Sequence, residues 1–99
     1  MILANRVAIV TGAGSGIGFA GARAMAREGA TVVVADLSLE RSRAAAEAIR
    51  GEGLRAEARP TDVADDAALA RLIEGTIADH GRLDVLHSHA GIQVEGTLE

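Results

Sequence analysis

The chain has no cysteine, no tyrosine and no lysine. Without cysteine there is no disulfide framework and no thiolate chemistry. Without tyrosine or lysine, no step that needs a phenol or a side-chain amine can run on this chain alone. All 10 basic residues are arginines, against 14 acidic residues, for a formal net charge of −4. That balance disfavours nonspecific binding to nucleic acid or to an anionic membrane surface. No apolar run approaches the length of a membrane span. At the N-terminus, Asn5 and Arg6 precede only a short apolar run that a glycine loop ends, which does not read as a signal peptide. The expected location is cytoplasmic, with neither nucleic acid nor membrane as partner.

What is present is a globular composition. Hydrophobic residues make up 48% of the 99, enough for one folded domain over 1–99. There is no linker, internal repeat or low-complexity segment.

The chain is organised around residues 7–18, Val-Ala-Ile-Val-Thr-Gly-Ala-Gly-Ser-Gly-Ile-Gly. Val7 to Val10 are mostly β-branched and do not alternate with polar residues, the pattern of a strand buried on both faces. The loop Gly12–Gly18 follows at once, and a helical pattern follows the loop. Glycines where a strand hands over to a helix N-terminus leave backbone N–H groups and the helix dipole free for a phosphate. A Cβ there would block the turn and the approach to a pyrophosphate. The spacing is G-x-x-x-G-x-G through Gly12, Gly16 and Gly18, with Gly14 extra, rather than G-x-G-x-x-G.

Further along, Ile17–Glu28 reads as a helix stopped by Gly29, with Ala20, Gly21 and Ala24 keeping one side small for packing. Thr31–Ala35 is a second continuous buried strand. Ser38 caps a helix running to about Arg50, with Glu40 in its first turn. Arg55–Arg59 reads as a weaker edge strand, ended by Pro60. Asp65 or Asp66 opens a third helix whose Leu69, Leu72, Ile73 and Ile77 form one stripe. Leu83–His87 is a fourth strand, and Ser88–Gly91 a loop. Strands alternating with helices predict an α/β fold: a Rossmann-like doubly wound parallel sheet, strand order 3-2-1-4. A ligand then sits at the C-terminal ends of strands 1 and 4. The far edge of strand 4 is expected to be open, which predicts self-association and a homo-oligomer.

Asp36 ends the second strand about 20 residues after Gly16, where an acid accepts hydrogen bonds from ribose hydroxyls. A carboxylate there repels a 2′-phosphate, and neither Leu37 nor Ser15 supplies a base to bind one. NAD is therefore expected over NADP. Asp62 and Val63 follow the third strand, where a carboxylate can accept from an adenine amino group and a valine can pack on the ring. Taken singly, Asp36 and Asp62 read equally well as turn residues.

With Thr11-Gly12-Ala13-Gly14-Ser15-Gly16-Ile17-Gly18, Asp36, Asp62-Val63 and Ala90-Gly91 in step, the chain resembles the short-chain dehydrogenase/reductase family over essentially its whole length. The resemblance implies that Gly12, Ser15, Gly16 and Ile17 hold the pyrophosphate and Asp36 the ribose. It implies that Asp62 and Val63 contact adenine, and that His89, Ala90 and Gly91 pass beside the nicotinamide-side ribose. The family's Asn-Asn-Ala-Gly is here Ser88-His89-Ala90-Gly91, and His89 cannot reproduce the amide hydrogen-bond pattern. The family's catalytic serine and Tyr-x-x-x-Lys are not among these residues, so no catalytic residue is assigned. The expectation is the N-terminal, cofactor-binding part of an NAD-dependent oxidoreductase acting on a small-molecule substrate. The alternative is a non-catalytic dinucleotide-binding or regulatory module. A methyltransferase is a third reading, against which the glycine loop argues.

His87 and His89 are two apart and would share a side of a regular strand. No third ligand is evident, so metal binding is not expected.

Overall fold

The second strand shows why the apolar runs do not alternate. Val32 and Val34 face one layer of helices, while Val33 and Ala35 face the other, and all four are buried. A strand covered on both sides has no solvent face to mark with polar residues.

The computed structural model describes residues 3–12, 16–88 and 91–94. The elements are β1 (Val7–Thr11), α1 (Gly16–Arg27), β2 (Thr31–Ala35), α2 (Leu39–Arg50), β3 (Ala56–Ala58), α3 (Asp66–His80), β4 (Val85–Ser88) and β5 (Gly91–Val94). They form one sheet in the order β3-β2-β1-β4-β5. The first four strands are parallel, with Val7 opposite Thr31, Ala8 opposite Val85 and Val32 opposite Ala56. The expected order 3-2-1-4 is the one found.

One core lies between the sheet and α1 with α2. It joins Val10, Val32 and Val34 to Ala22, Ala26, Ala46 and Ile49. The other lies under α3, where Ile9, Val33 and Leu83 meet Leu72, with Leu69, Ile73 and Ile77 packed against them. The α3 stripe read from the sequence is thus the stripe that packs. Truncating the fully buried Ile9 or Ile49 to alanine costs about 2–5 kcal/mol on the usual scale for such deletions.

Three expectations are corrected. The side of α1 turned to the sheet is not Ala20 and Ala24, which are exposed, but Ala22 and Ala26, with Phe19 and Met25 packed alongside. In α1 the larger Phe19 and Met25 set the phase, with Ala22 and Ala26, at i, i+3, i+6 and i+7 spacing, and the small residues at 20 and 24 fall on the opposite side. The fourth strand starts at Val85 rather than Leu83. Asp84 stands at its foot, where its backbone N–H donates to Val7 O and its carboxylate accepts from Val7 N, both at 2.9 Å. The side chain there takes the acceptor's part that a ladder carbonyl would play.

The third correction concerns the far edge of β4, which is not open. β5 returns antiparallel along it, pairing Ser88 with Gly91 and His87 with Ile92, so Ser88 and Gly91 are strand ends rather than loop residues. The pairing satisfies backbone groups that an open edge leaves to solvent.

At the other end of the molecule, Glu52 ties α1 to the turn after α2. Its carboxylate accepts from Arg23 at 2.5 Å and from Arg27 at 3.0 Å. The hydrogen bond from Arg23 leads the effects that hold this carboxyl below the usual range, with Arg27 adding to it against desolvation.

Candidate dinucleotide site

The site begins where β1 ends. The ladder between β1 and β2 continues one residue past the strands, with Gly12 N donating to Ala35 O at 2.9 Å. The glycine turn is thereby fixed beside the residue after Ala35, which is Asp36. Gly12 turns the chain at φ 66° and Gly16 at φ 58°, both in the left-handed region that glycine enters without strain. Thr11 Oγ1 donates to His87 O at 3.3 Å and ties the end of β1 to the end of β4.

α1 starts at Gly16, and its first turn carries no acidic residue. The first N–H groups of a helix lack partners within it, and the dipole makes this end positive. A Cβ built on Gly16 would meet no atom of the other described residues within 4 Å. A helix start without a carboxylate in its first turn suits a diphosphate.

Asp36 is buried, with 8% of its surface exposed. Its Oδ1 accepts from Ser38 N at 3.0 Å, and its backbone O accepts from Thr61 N at 2.9 Å. The first bond holds the carboxylate in a fixed turn. The second brings the segment after β3 alongside. In that segment, Asp62 Oδ1 accepts from Ala64 N at 3.0 Å, which holds the loop and fills one of its carboxylate oxygens. Val63 is exposed at 38% and Leu37 at 74%, two of the three large apolar side chains the described surface exposes. They stand close in the chain to the Thr61–Asp36 hydrogen bond.

The structure therefore brings Gly12, Gly16, Asp36, Asp62 and Val63 to one rim, at the C-terminal ends of β1, β2 and β3. The backbone of Ile17 lies in the first turn of α1, and Gly91 is paired with Ser88. Ser15, His89 and Ala90 lie outside the described residues. Sequence reasoning passed over Leu37 except as a residue that is not basic. The available signal was an apolar side chain directly after the acid that ends a strand. It also passed over Thr61, whose part is played by its backbone N–H and leaves no mark in residue type.

The histidines go separate ways. His80 Nε2 lies 2.8 Å from Glu57 Oε1 at the end of α3. His87 faces α1, and its Nδ1 is buried without a hydrogen-bond partner among the described residues. Among the described residues no three histidine, cysteine or acidic side chains gather as a metal cluster would need.

A parallel sheet in this order, with a glycine turn leading into the helix after its first strand, defines the Rossmann-like α/β class. Residues 6–99 match the family described as short chain dehydrogenase, and the chain belongs to that family. It is 48% identical over 89 residues to cis-4-hydroxycyclohexanecarboxylate dehydrogenase of Sinomonas cyclohexanicum, covering 90% of this chain and 35% of that protein. It is 40% identical over 95 residues to meso-2,3-butanediol dehydrogenase of Serratia marcescens, covering 95% of this chain and 37% of that one. Among solved structures, a metagenomic short-chain oxidoreductase in complex with NADP superposes with a TM-score of 0.82 at 41% identity, covering 87% of this chain and 39% of that one. The chain thus spans little more than a third of the length of the curated relatives it matches. Among the described residues no helix is long and apolar enough to cross a membrane.

Proposed function

We propose that these residues form the NAD-binding part of a longer oxidoreductase that exchanges a hydride between a secondary alcohol and a ketone. Gly12, Ser15, Gly16 and Ile17 take the diphosphate at the start of α1. Asp36 accepts from the adenosine ribose hydroxyls, and Asp62 and Val63 take the adenine, with Leu37 beside them. His89, Ala90 and Gly91 take the nicotinamide-side ribose. The bound dinucleotide supplies the hydride acceptor or donor. The chain's own residues bind and orient it.

The observation that carries the reading is the bond from Gly12 N to Ala35 O, which sets the glycine turn beside a buried carboxylate. NAD is preferred because a 2′-phosphate would meet Asp36, with Leu37 rather than a base after it. The metagenomic relative binds NADP, so the preference rests on this chain's own residues. Homo-oligomerisation and a cytoplasmic location belong to the same proposal. The bare β4 edge no longer argues for association, because β5 covers it. A non-catalytic dinucleotide-binding module is the second reading, favoured by Ser88 and His89 in place of the family's two asparagines.

Calorimetric titration of the intact protein tests the cofactor. NAD is expected to bind more tightly than NADP by at least about tenfold, or roughly 1.4 kcal/mol. Equal affinities would defeat the preference, and no binding of either would defeat the site. Reading the coding sequence beyond these residues separates enzyme from module. A serine followed by Tyr-x-x-x-Lys supports the enzyme, and a stop codon after Glu99 supports the module.

A further inference from the structure

At the foot of the sheet, at the opposite end from the glycine turn, lies a hollow of about 200 Å³. Ala4, Ala26, Ala30 and Leu54 give it apolar walls, and the exposed Asn5 and Arg55 are also among the residues that line it. Among the described residues no acidic side chain lines it, in a chain whose net charge is −4.

Five of the backbone carbonyls near it are engaged. Met25, Ala26 and Glu28 carbonyls accept from Ala30, Gly29 and Leu3 N–H groups, and the carbonyls of Ile49 and Arg50 accept from Glu52 and Gly53. Side-chain donors here have no protein partner among the described residues: neither the Asn5 amide nor the Arg55 guanidinium has one, whereas the neighbouring Arg23 and Arg27 are both held by Glu52.

Asn5 carries a second sign. It is the one non-glycine residue with positive φ among the described residues, at 64°, in a turn closed by Arg6 N donating to Leu3 O at 3.0 Å. The turn needs only a residue that tolerates this conformation, and glycine would serve. The asparagine amide is surplus to the turn, and Asn5 is one of the residues that line the hollow.

We propose that this hollow binds a small aliphatic carboxylate, its alkyl body against the alanines and Leu54 and its head on Arg55 and Asn5. A guanidinium and an amide N–H together satisfy a carboxylate's oxygens. The volume admits a body of a few carbons, and a multiply charged anion would find too few donors. The site is separate from the dinucleotide rim and stands whether or not that assignment holds.

The test is a nuclear magnetic resonance titration of the ¹⁵N-labelled chain with sodium butyrate at constant ionic strength, with butanol as the uncharged body. Butyrate is expected to shift the amides of Ala4, Ala30 and Leu54 saturably, in the millimolar range, and butanol is not. Arg55→Gln removes an exposed charge and should weaken binding about tenfold. Asn5→Gly keeps the turn and should weaken it several-fold. Arg71→Gln, on the exposed face of α3, should leave it unchanged. Shifts that rise linearly without saturating, that butanol reproduces, or that survive Arg55→Gln unaltered overturn the proposal. The comparison of butyrate with butanol on the unaltered chain decides it even if a variant fails to fold.

Discussion

The imidazole of His87 lies against the bare backbone of Gly21, its Cε1 3.1 Å and its Nδ1 3.3 Å from where a Cβ on that glycine would stand. Strand β4 and helix α1 touch here through a ring on one side and the absence of a side chain on the other. The fit has two costs. Glycine within a helix gives up about 1 kcal/mol against alanine. The buried Nδ1, which has no hydrogen-bond partner among the described residues, gives up about 1–3 kcal/mol of lost hydrogen bonding.

A double-mutant cycle reads that contact. Gly21→Ala alone is expected to destabilise by about 1 kcal/mol, because the ring must give way. In a His87→Val background the same change should stabilise by about 0.5–1 kcal/mol, since only the gain in helix propensity remains. Urea unfolding of the four proteins measures the coupling, expected to exceed about 1 kcal/mol. Additive effects would show that ring and helix do not press on one another.

Helix α3 is the lone helix packed on the Leu72–Leu83 side of the described sheet, and Asp65 starts it. The Asp65 carboxylate accepts from Ala67 N at 2.9 Å and from Ala68 N at 3.3 Å, satisfying two N–H groups that the helix leaves open. Asp65→Ala should cost about 1–2 kcal/mol, and Asp65→Ser, which keeps an acceptor, less than half of that. Chemical denaturation checks both. Equal losses for alanine and serine would mean that the cap contributes through something other than its acceptor.

These contacts also mark what could be read without coordinates. Val7–Val10 and Thr31–Ala35 announced buried strands because local pattern and global position agree. Both faces are covered, so nothing polar interrupts them. Asp65 and Ser38 announced helix starts because capping is settled within a few residues. Asp36 was located by its distance from Gly16, since the length of the intervening helix and strand is itself constrained. The packing side of α1 was misread because Ala20 and Ala24 are as apolar as Ala22 and Ala26, and only Phe19 and Met25 break the tie. The seating of His87 on Gly21 joins residues far apart in the chain that share no pattern. The alternation in β5 is confined to Ile92-Gln93-Val94, too short a run beside Gly91 to mark a strand or its partner from sequence. Leu37 could not be told from a core leucine until its exposure was known.

Asp84 supplies the pH dependence of the fold. Its side chain is 5% exposed, and its carboxylate accepts from Arg82 twice at 2.8 Å, from Val7 N at 2.9 Å and from Arg6 at 3.3 Å. Burial pushes this carboxyl up, but the hydrogen bonds from Arg82, from the Val7 N–H and from Arg6 outweigh it and hold it below the usual carboxylate range. A carboxyl more acidic in the folded than in the unfolded chain stabilises the fold when ionised. That contribution is complete above the unfolded value of about 3.9 and is lost as the pH falls through the lower folded value. Asp84→Asn removes the charge but keeps one acceptor for Val7 N, leaving Arg82 and Arg6 without their partner. It should cost about 1–2 kcal/mol at pH 7, below the range for a fully buried ion pair, because the Arg6 and Arg82 side chains left behind are 50% and 32% exposed and stay hydrated. Stability of the two proteins, followed by urea unfolding between pH 7 and pH 2, should differ most at neutral pH and converge at the acid end. A difference that stays constant down to pH 2 would mean that Asp84 holds β1 to β4 through shape and hydrogen bonding alone, with no part played by its charge.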